Sequence, residues 1–183
     1  MSGLDLGLLG AVAALAVALA VALLRRRPPR RLAISKTARR ILVPFTGSLD
    51  PTVLQAAIRI AHAEDAVLVP AYLLIVPLQY GEDSPLRDQV KVAMPVLEAV
   101  EHAALRAGVP VDARIEKGRT LTHALRRLWE VEPFDRIVAP APADSREGFS
   151  EKELAWLLLH APTETLVLKP TPSASPARLH SAA

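Results

Sequence analysis

From residue 41 onward, apolar positions alternate between two patterns, and this alternation predicts the fold. Short apolar runs typical of buried parallel strands are separated by stretches in which apolar residues recur at helical spacing. The strand-like runs are ILVPF (41–45), AVLVPAYLLIV (66–76), VPVDARIEKG (109–118), RIVAP (136–140) and TLVLKP (165–170). Because helical stretches lie between them, we predict an α/β three-layer sandwich with a five-stranded parallel sheet and right-handed crossovers.

Residues at the helix ends support the four predicted helices. Asp50 is a good N-cap, and Pro51 fits the first helical position. The stretch from Leu86 to Ala107 contains Pro95, which we expect to kink or divide that helix. Ser150 and Glu153 have the spacing of a capping box, in which each residue's side chain bonds the other's backbone N–H.

The first 24 residues predict a transmembrane anchor. Leu6 to Leu24 carries no charged residue, and at ~1.5 Å per residue it spans about 28 Å, close to a bilayer's hydrocarbon core. Asp5 precedes this stretch and arginines follow it, which is the reverse of a signal peptide. The positive-inside rule then predicts a single-pass cell-membrane protein with a cytoplasmic C-terminal domain. Because the stretch is alanine-rich, an interfacial or signal-like segment is the alternative.

Charge is distributed unevenly along the chain. Eight basic residues and no acidic one lie between Arg25 and Arg40, so residues 25–40 are predicted to be a juxtamembrane linker that binds anionic lipid, at about 1 kcal/mol per basic residue. A cluster that only sets topology is an equal alternative. Residues 41–183 have 14 basic and 18 acidic residues, a net charge of −4, which argues against a nucleic-acid partner. We expect a folded domain at 41–170 and a disordered Pro/Ser/Ala-rich tail at 171–183.

Candidate catalytic chemistry is sparse in this sequence. The chain has no cysteine, which excludes thiolate catalysis and cysteine-ligated metals. The five histidines lack metal-ligand spacing, and no Ser-His-Asp or Walker motif is present, so we predict no catalytic residue, no metal and no enzyme activity. We expect His160 to close a helix, where positive charge is favoured, and Trp129 and Trp156 to lie in the core.

Several segments together resemble the universal stress protein family, a group of the adenine nucleotide alpha hydrolase-like class. RRILVPFTGS is similar to the family's first strand and turn, GVPVDARIEKGR to the entry into the third strand, FDRIVAP to the fourth strand, and LLLHAPTETLVLKP to the closing helix and strand. The resemblance implies a five-stranded parallel sheet, frequent dimerisation through the last strand and, in one branch, ATP binding. We therefore expect a homodimer through TLVLK, whose edge would otherwise be exposed.

The sequence departs from the signature of the ATP-binding branch. That signature has Gly, two residues, Gly, about nine residues and then Gly-Ser or Gly-Thr after the fourth strand. Aligned from FDRIVAP, the two leading glycines fall on Pro140 and Ala143, and the Gly-Ser slot falls on Glu153-Leu154. Aligned back from His160-Ala161-Pro162, that slot falls on Glu151-Lys152. In the first turn, Thr46 stands where the nucleotide-binding branch usually has Asp.

Two main functional interpretations follow from these departures, and an enzyme of the broader adenine-nucleotide-binding α/β group is a third possibility. The first is a membrane-tethered binding or regulatory module with a degenerate nucleotide site, no cofactor and an unknown protein partner. The second is a stress-response module that binds ATP or another adenine nucleotide in a way that departs from the signature. Its candidate crevice residues are Pro44, Thr46, Gly47, Ser48, Arg119, Arg146 and Ser150.

Overall fold

Five parallel strands form one sheet in the computed structural model, which describes residues 38–82, 84–141 and 148–169. The spatial order is β3-β2-β1-β4-β5. The strands are β1 (Arg40–Phe45), β2 (Val67–Ile75), β3 (Arg114–Gly118), β4 (Arg136–Pro140) and β5 (Glu164–Leu168). The helices between them are α1 (Pro51–Ala63), α2 (Arg87–Arg106), α3 (Leu121–Val131) and α4 (Glu151–His160).

The helices cover both faces of the sheet and give three layers. Successive residues of a strand point to opposite faces, and in β1 Leu42 packs with α3 and α4 while Ile41 packs with α1. Phe45 and Tyr72 pack with α2. The predicted α/β sandwich with a five-stranded parallel sheet is therefore confirmed.

The ends of the helices follow the local sequence. Asp50 Oδ1 accepts hydrogen bonds from Thr52 N at 2.8 Å and Val53 N at 3.3 Å, which confirms the predicted N-cap. α2 is one helix, and Pro95 lies inside it without dividing it. Pro95 is on the exposed side of α2, so water can satisfy the carbonyl that its missing N–H leaves free.

Some elements differ from the sequence prediction. β3 begins at Arg114, later than the predicted start at 109, and only Val111 makes an isolated bridge before it. Trp129 and Trp156 are half-buried and lie against the core rather than inside it. Within the described ranges no helix is long and apolar enough to cross a membrane, and the predicted anchor at 1–24 lies outside those ranges.

Candidate functional site

The strand order creates a crevice between β1 and β4. The chain moves from β1 to β2 and β3 in one direction, and then returns to place β4 on the other side of β1. Ligands of open α/β sheets bind at such a reversal, beyond the carboxyl ends of the two strands. Here those ends lead into Thr46 after β1 and Ala141 after β4.

Pro44 lies where β1 and β4 stop pairing. The ladder between these strands covers only Ile41↔Arg136 and Leu42↔Ile137, whereas the β4–β5 ladder continues to Pro140↔Leu168. Proline has no N–H and cannot donate to a sheet ladder. Pro44 itself is buried, and it offers no N–H group at this end of β1.

The turn after β1 reaches across to the segment before α4. Gly47 has φ 63°, a left-handed conformation that suits glycine. The Thr46 hydroxyl accepts a hydrogen bond from Gly148 N at 3.2 Å. This bond joins the loop after β1 to the segment before α4, two loops that are far apart in sequence.

Ser150 caps α4 and forms the predicted capping box. Its hydroxyl oxygen accepts from Glu153 N at 3.3 Å, while Ser150 N donates to Glu153 Oε2 at 2.7 Å. The Glu153 carboxylate therefore already occupies the positive end of the α4 dipole. In this arrangement Ser150 serves its own helix.

Phe149, just before α4, is the buried residue near the site that sequence reasoning missed. Its side chain is only 2% exposed and belongs to the same buried cluster as Leu154. Phe149 directly precedes the cap and Leu154 is the fourth helical residue, which is the spacing of a hydrophobic staple. That spacing was present in the sequence and predicts that the chain enters α4 in a fixed direction.

Several backbone donors of the β4–α4 connection are used within the protein. Pro140 has no N–H, and Ala141 N donates to Leu168 O at 2.7 Å. Gly148 N and Ser150 N donate to Thr46 and Glu153 as described above. Because a phosphate cradle needs free N–H groups and close backbone approach, these bonds compete directly with phosphate binding.

The structure separates Arg119 from the other candidate residues. Pro44, Thr46, Gly47 and Ser48 lie at the end of β1, and Ser150 lies just before α4, with the two segments joined by the Gly148–Thr46 hydrogen bond. Arg119 follows the edge strand β3, two strands away. Its guanidinium donates to Pro77 O at 2.8 Å and Val76 O at 3.3 Å and pairs with Glu82 at 3.3 Å. Arg146 lies outside the described residues.

Metal ligation finds no support in the described part of the chain. Among those residues, no group of three His, Asp or Glu side chains is placed to hold a metal ion. His160, in the last turn of α4 as predicted, lies with its Nδ1 2.8 Å from Trp156 O.

Solved structures with the same architecture show what this chain is similar to. One is a universal stress protein family member from Burkholderia pseudomallei, with 22% identity over 75% of this chain and 100% of that chain and a TM-score of 0.56. Another is a universal stress protein in complex with cAMP, with 20% identity, 73% and 98% coverage and a TM-score of 0.55. A third is the universal stress protein from Archaeoglobus fulgidus in complex with dAMP, with 12% identity, 70% and 96% coverage and a TM-score of 0.56.

The fold is that of the universal stress proteins. At these identities the likeness establishes the fold, and it confirms the fold implied by the sequence resemblance. No family model matches the sequence, and no curated protein matches it. About three quarters of this chain corresponds to nearly the whole of each universal stress protein above, so the described domain contains a complete copy of that fold.

Proposed function

We propose that the protein is a membrane-tethered, universal-stress-protein-like module that acts by binding and assembly rather than by catalysis, with a nucleotide site that no longer holds a triphosphate. Residues 1–24 would anchor it, and the basic residues that precede Arg39 in the 25–40 linker would bind anionic lipid on the cytoplasmic face. The domain would form a homodimer through β5.

This proposal rests on one observation: the backbone N–H groups nearest the expected phosphate position already donate hydrogen bonds within the protein. Ser150 N is bonded to the Glu153 carboxylate, and Gly148 N is bonded to Thr46 Oγ1. A phosphate at this position would have to displace a carboxylate from a helix N-terminus and break the contact between the two loops. Loss of a helix cap costs about 1 kcal/mol, and the negative Glu153 carboxylate repels an approaching phosphate. Replacement of the carboxylate by phosphate is therefore unfavourable.

An adenine-nucleotide module is the second candidate function. It is supported by universal stress proteins of the same fold that were solved with cAMP or dAMP. It is also supported by the Thr46-Gly47-Ser48 turn, which follows β1 at the strand-order reversal and has Gly47 in a left-handed conformation. In this alternative Arg146 would supply the positive charge that the signature glycines do not provide.

Calorimetric titration with ATP, AMP and cAMP separates the two functions. A fragment of residues 38–183 contains the complete fold, and we expect it to bind none of the three at micromolar concentration. Micromolar affinity for any of them would contradict a closed site. Loss of that affinity in Arg146→Ala, but not in the charge-matched control Arg178→Ala, would assign the second function.

Tethering has its own test. Membrane fractionation of the full chain and of a chain without residues 1–40 should place only the full chain in the membrane fraction. Equal distribution of the two chains would remove the tether from the proposal and leave the closed crevice unaffected.

A further inference from the structure

Both tryptophans of the chain lie in one aromatic stack on the α3–α4 layer. The Trp129 and Trp156 rings are 5.7 Å apart between centroids and 14° from parallel, and Trp156 and His160 are 4.8 Å apart and 13° from parallel. The Arg126 guanidinium lies over Trp156 at 5.7 Å. The tryptophans are half-buried and His160 is exposed, so one side of the stack faces solvent.

The stack lies toward the end of the molecule where the chain enters the domain. In a parallel α/β fold the helices run opposite to the strands, so the C-terminal ends of α3 and α4 lie near the amino ends of the strands. Two apolar residues at these helix ends are strongly exposed, Val131 at 79% and Leu159 at 81%. Ala38, the first described residue, packs against the same buried cluster as the two tryptophans.

We propose that an aromatic corner, defined as Arg126, Trp129, Trp156, Leu159 and His160, is a docking surface for a phospholipid bilayer. The proposal rests on the membrane tether described above. Tryptophan and arginine suit the boundary between headgroups and acyl chains because each combines an apolar body with a polar end. Leu159, three residues after Trp156 on α4, extends the apolar part of this surface.

Chain length brings the corner within reach of the membrane. Residues 25–37 separate the predicted anchor from Ala38, and 13 extended residues cover at most ~45 Å. With the predicted anchor in a membrane, this length would keep the entry side of the domain within that distance of the bilayer. The corner lies on that side, which favours lipid over an occupant that must arrive by diffusion.

The charges at the start of the domain indicate that the aromatic corner would contact lipid through apolar side chains rather than through charge alone. Arg40 is paired with Asp112 at 2.7 Å and Glu132 at 3.0 Å, and Arg39 with Glu64 at 3.5 Å. These two arginines are therefore compensated within the domain. Lipid binding by the corner should then depend on Trp and Leu burial and only weakly on salt, unlike binding by the basic linker.

Tryptophan fluorescence of the full chain tests the proposal, because both tryptophans report on the corner. The chain would be reconstituted into nanodiscs of phosphatidylcholine and phosphatidylserine in which some acyl chains carry bromine. Since an interfacial surface lies roughly 5–10 Å into the headgroup boundary, bromine near the carbonyls should quench the emission more than bromine near the chain ends. High salt should leave this difference in place.

Variants separate the docking surface from the tether. Leu159→Asp should lose the lipid quenching while the chain remains in the nanodisc. Leu78→Asp, which changes an 88% exposed leucine in the β2–α2 connection, should keep it. Incorporation without quenching in the unmodified chain would overturn the docking surface and leave the tether intact; failure of incorporation would overturn both. Acrylamide quenching of the tryptophans in detergent tests a different occupant. If that quenching falls as the protein concentration rises, a second copy of the chain covers the corner, which would also reject the proposal.

Discussion

Gly118, the last residue of β3, lies directly against the start of α3. A methyl group placed on it would be 2.5 Å from Ala124 N and 2.9 Å from Ala124 Cα. Both are backbone atoms of a packed helix, so they cannot move without displacing α3. The need for glycine here comes from close approach and not from a special backbone angle.

We expect Gly118→Ala to destabilise the domain by roughly 1–3 kcal/mol, the usual range for overpacking. Chemical denaturation of the 38–183 fragment would measure the change. Gly81→Ala is a matched control, because its added methyl would meet Ser84 Oγ at an ordinary 3.7 Å. Equal stability of the two variants would show that α3 does not hold Gly118 as tightly as the contacts indicate.

Asp112 is the centre of an ionic cluster at the amino ends of β1 and β3. It bonds the Arg114 guanidinium at 2.9 Å and that of Arg40 at 2.7 Å. Burial raises the pKa of Asp112, but the hydrogen bonds and charges of Arg114 and Arg40 together outweigh burial and hold it below its ordinary value of 3.8. The carboxylate therefore stabilises the folded state in its charged form.

Asp112→Asn should reduce stability at neutral pH and lose this effect in acid. A carboxylate with a lowered pKa contributes fully above its unfolded value and progressively less as the pH falls through its folded value. We expect a loss of roughly 1 kcal/mol at pH 7, after allowing for solvent screening of a partly exposed group. The stability difference between the two proteins should narrow as the pH falls from 7 to 3; a constant difference would contradict the ionic role. Asp88→Asn, on an exposed side chain, is the control.

For individual residues, the sequence predicted contacts between near neighbours in the chain better than contacts between distant ones. The Asp50 cap and the Ser150–Glu153 box follow from residues two or three positions apart, and both are confirmed. The Gly148–Thr46 bond joins residues 102 positions apart, and the register of two loops cannot be obtained from local pattern. Phe149 is intermediate, because its staple spacing to Leu154 was visible and its burial was not anticipated.

β5 is the element with the most incomplete packing. It is an edge strand whose residues are all partly or largely exposed, and Val167 is 37% exposed. The opposite edge, β3, is instead rich in charge, with Arg114, Glu116 and Lys117. Charged edge strands resist pairing with another chain, whereas apolar ones favour it. The asymmetry supports assembly through β5.

Val167→Asp should weaken a β5-mediated dimer about tenfold or more. A tenfold change in affinity corresponds to about 1.4 kcal/mol, and burial of a valine side chain contributes more than that. Sedimentation of the 38–183 fragment over a concentration series would measure the constant. Val131→Asp, which changes an exposed valine on α3, should leave it unchanged. An unmodified fragment that stays monomeric at every concentration would contradict assembly through β5.

The types and order of the elements were predictable, but not all of their limits. Buried central strands such as β2 are apolar on both faces and give a strong signal. β3 is an edge strand with polar residues, so its start could not be located from pattern alone. Pro95 was expected to disturb α2, yet proline on the solvent side of a long helix is tolerated because packing of the other side maintains the helix.

At the scale of the whole molecule, a universal stress protein fold is combined with a β4–α4 connection in which Gly148 N and Ser150 N are bonded within the protein. The fold was predictable because strand and helix alternation leaves few topologies. The state of the crevice was only partly predictable: the lost glycines were visible, but the partners of the remaining N–H groups required the structure.

A crystal structure of the 38–183 fragment grown in excess ATP tests this claim most directly. We predict that the Ser150–Glu153 and Gly148–Thr46 hydrogen bonds persist and that no ordered triphosphate lies beyond the ends of β1 and β4. Ordered phosphate density on the N-terminus of α4, with Glu153 displaced from Ser150, would contradict it.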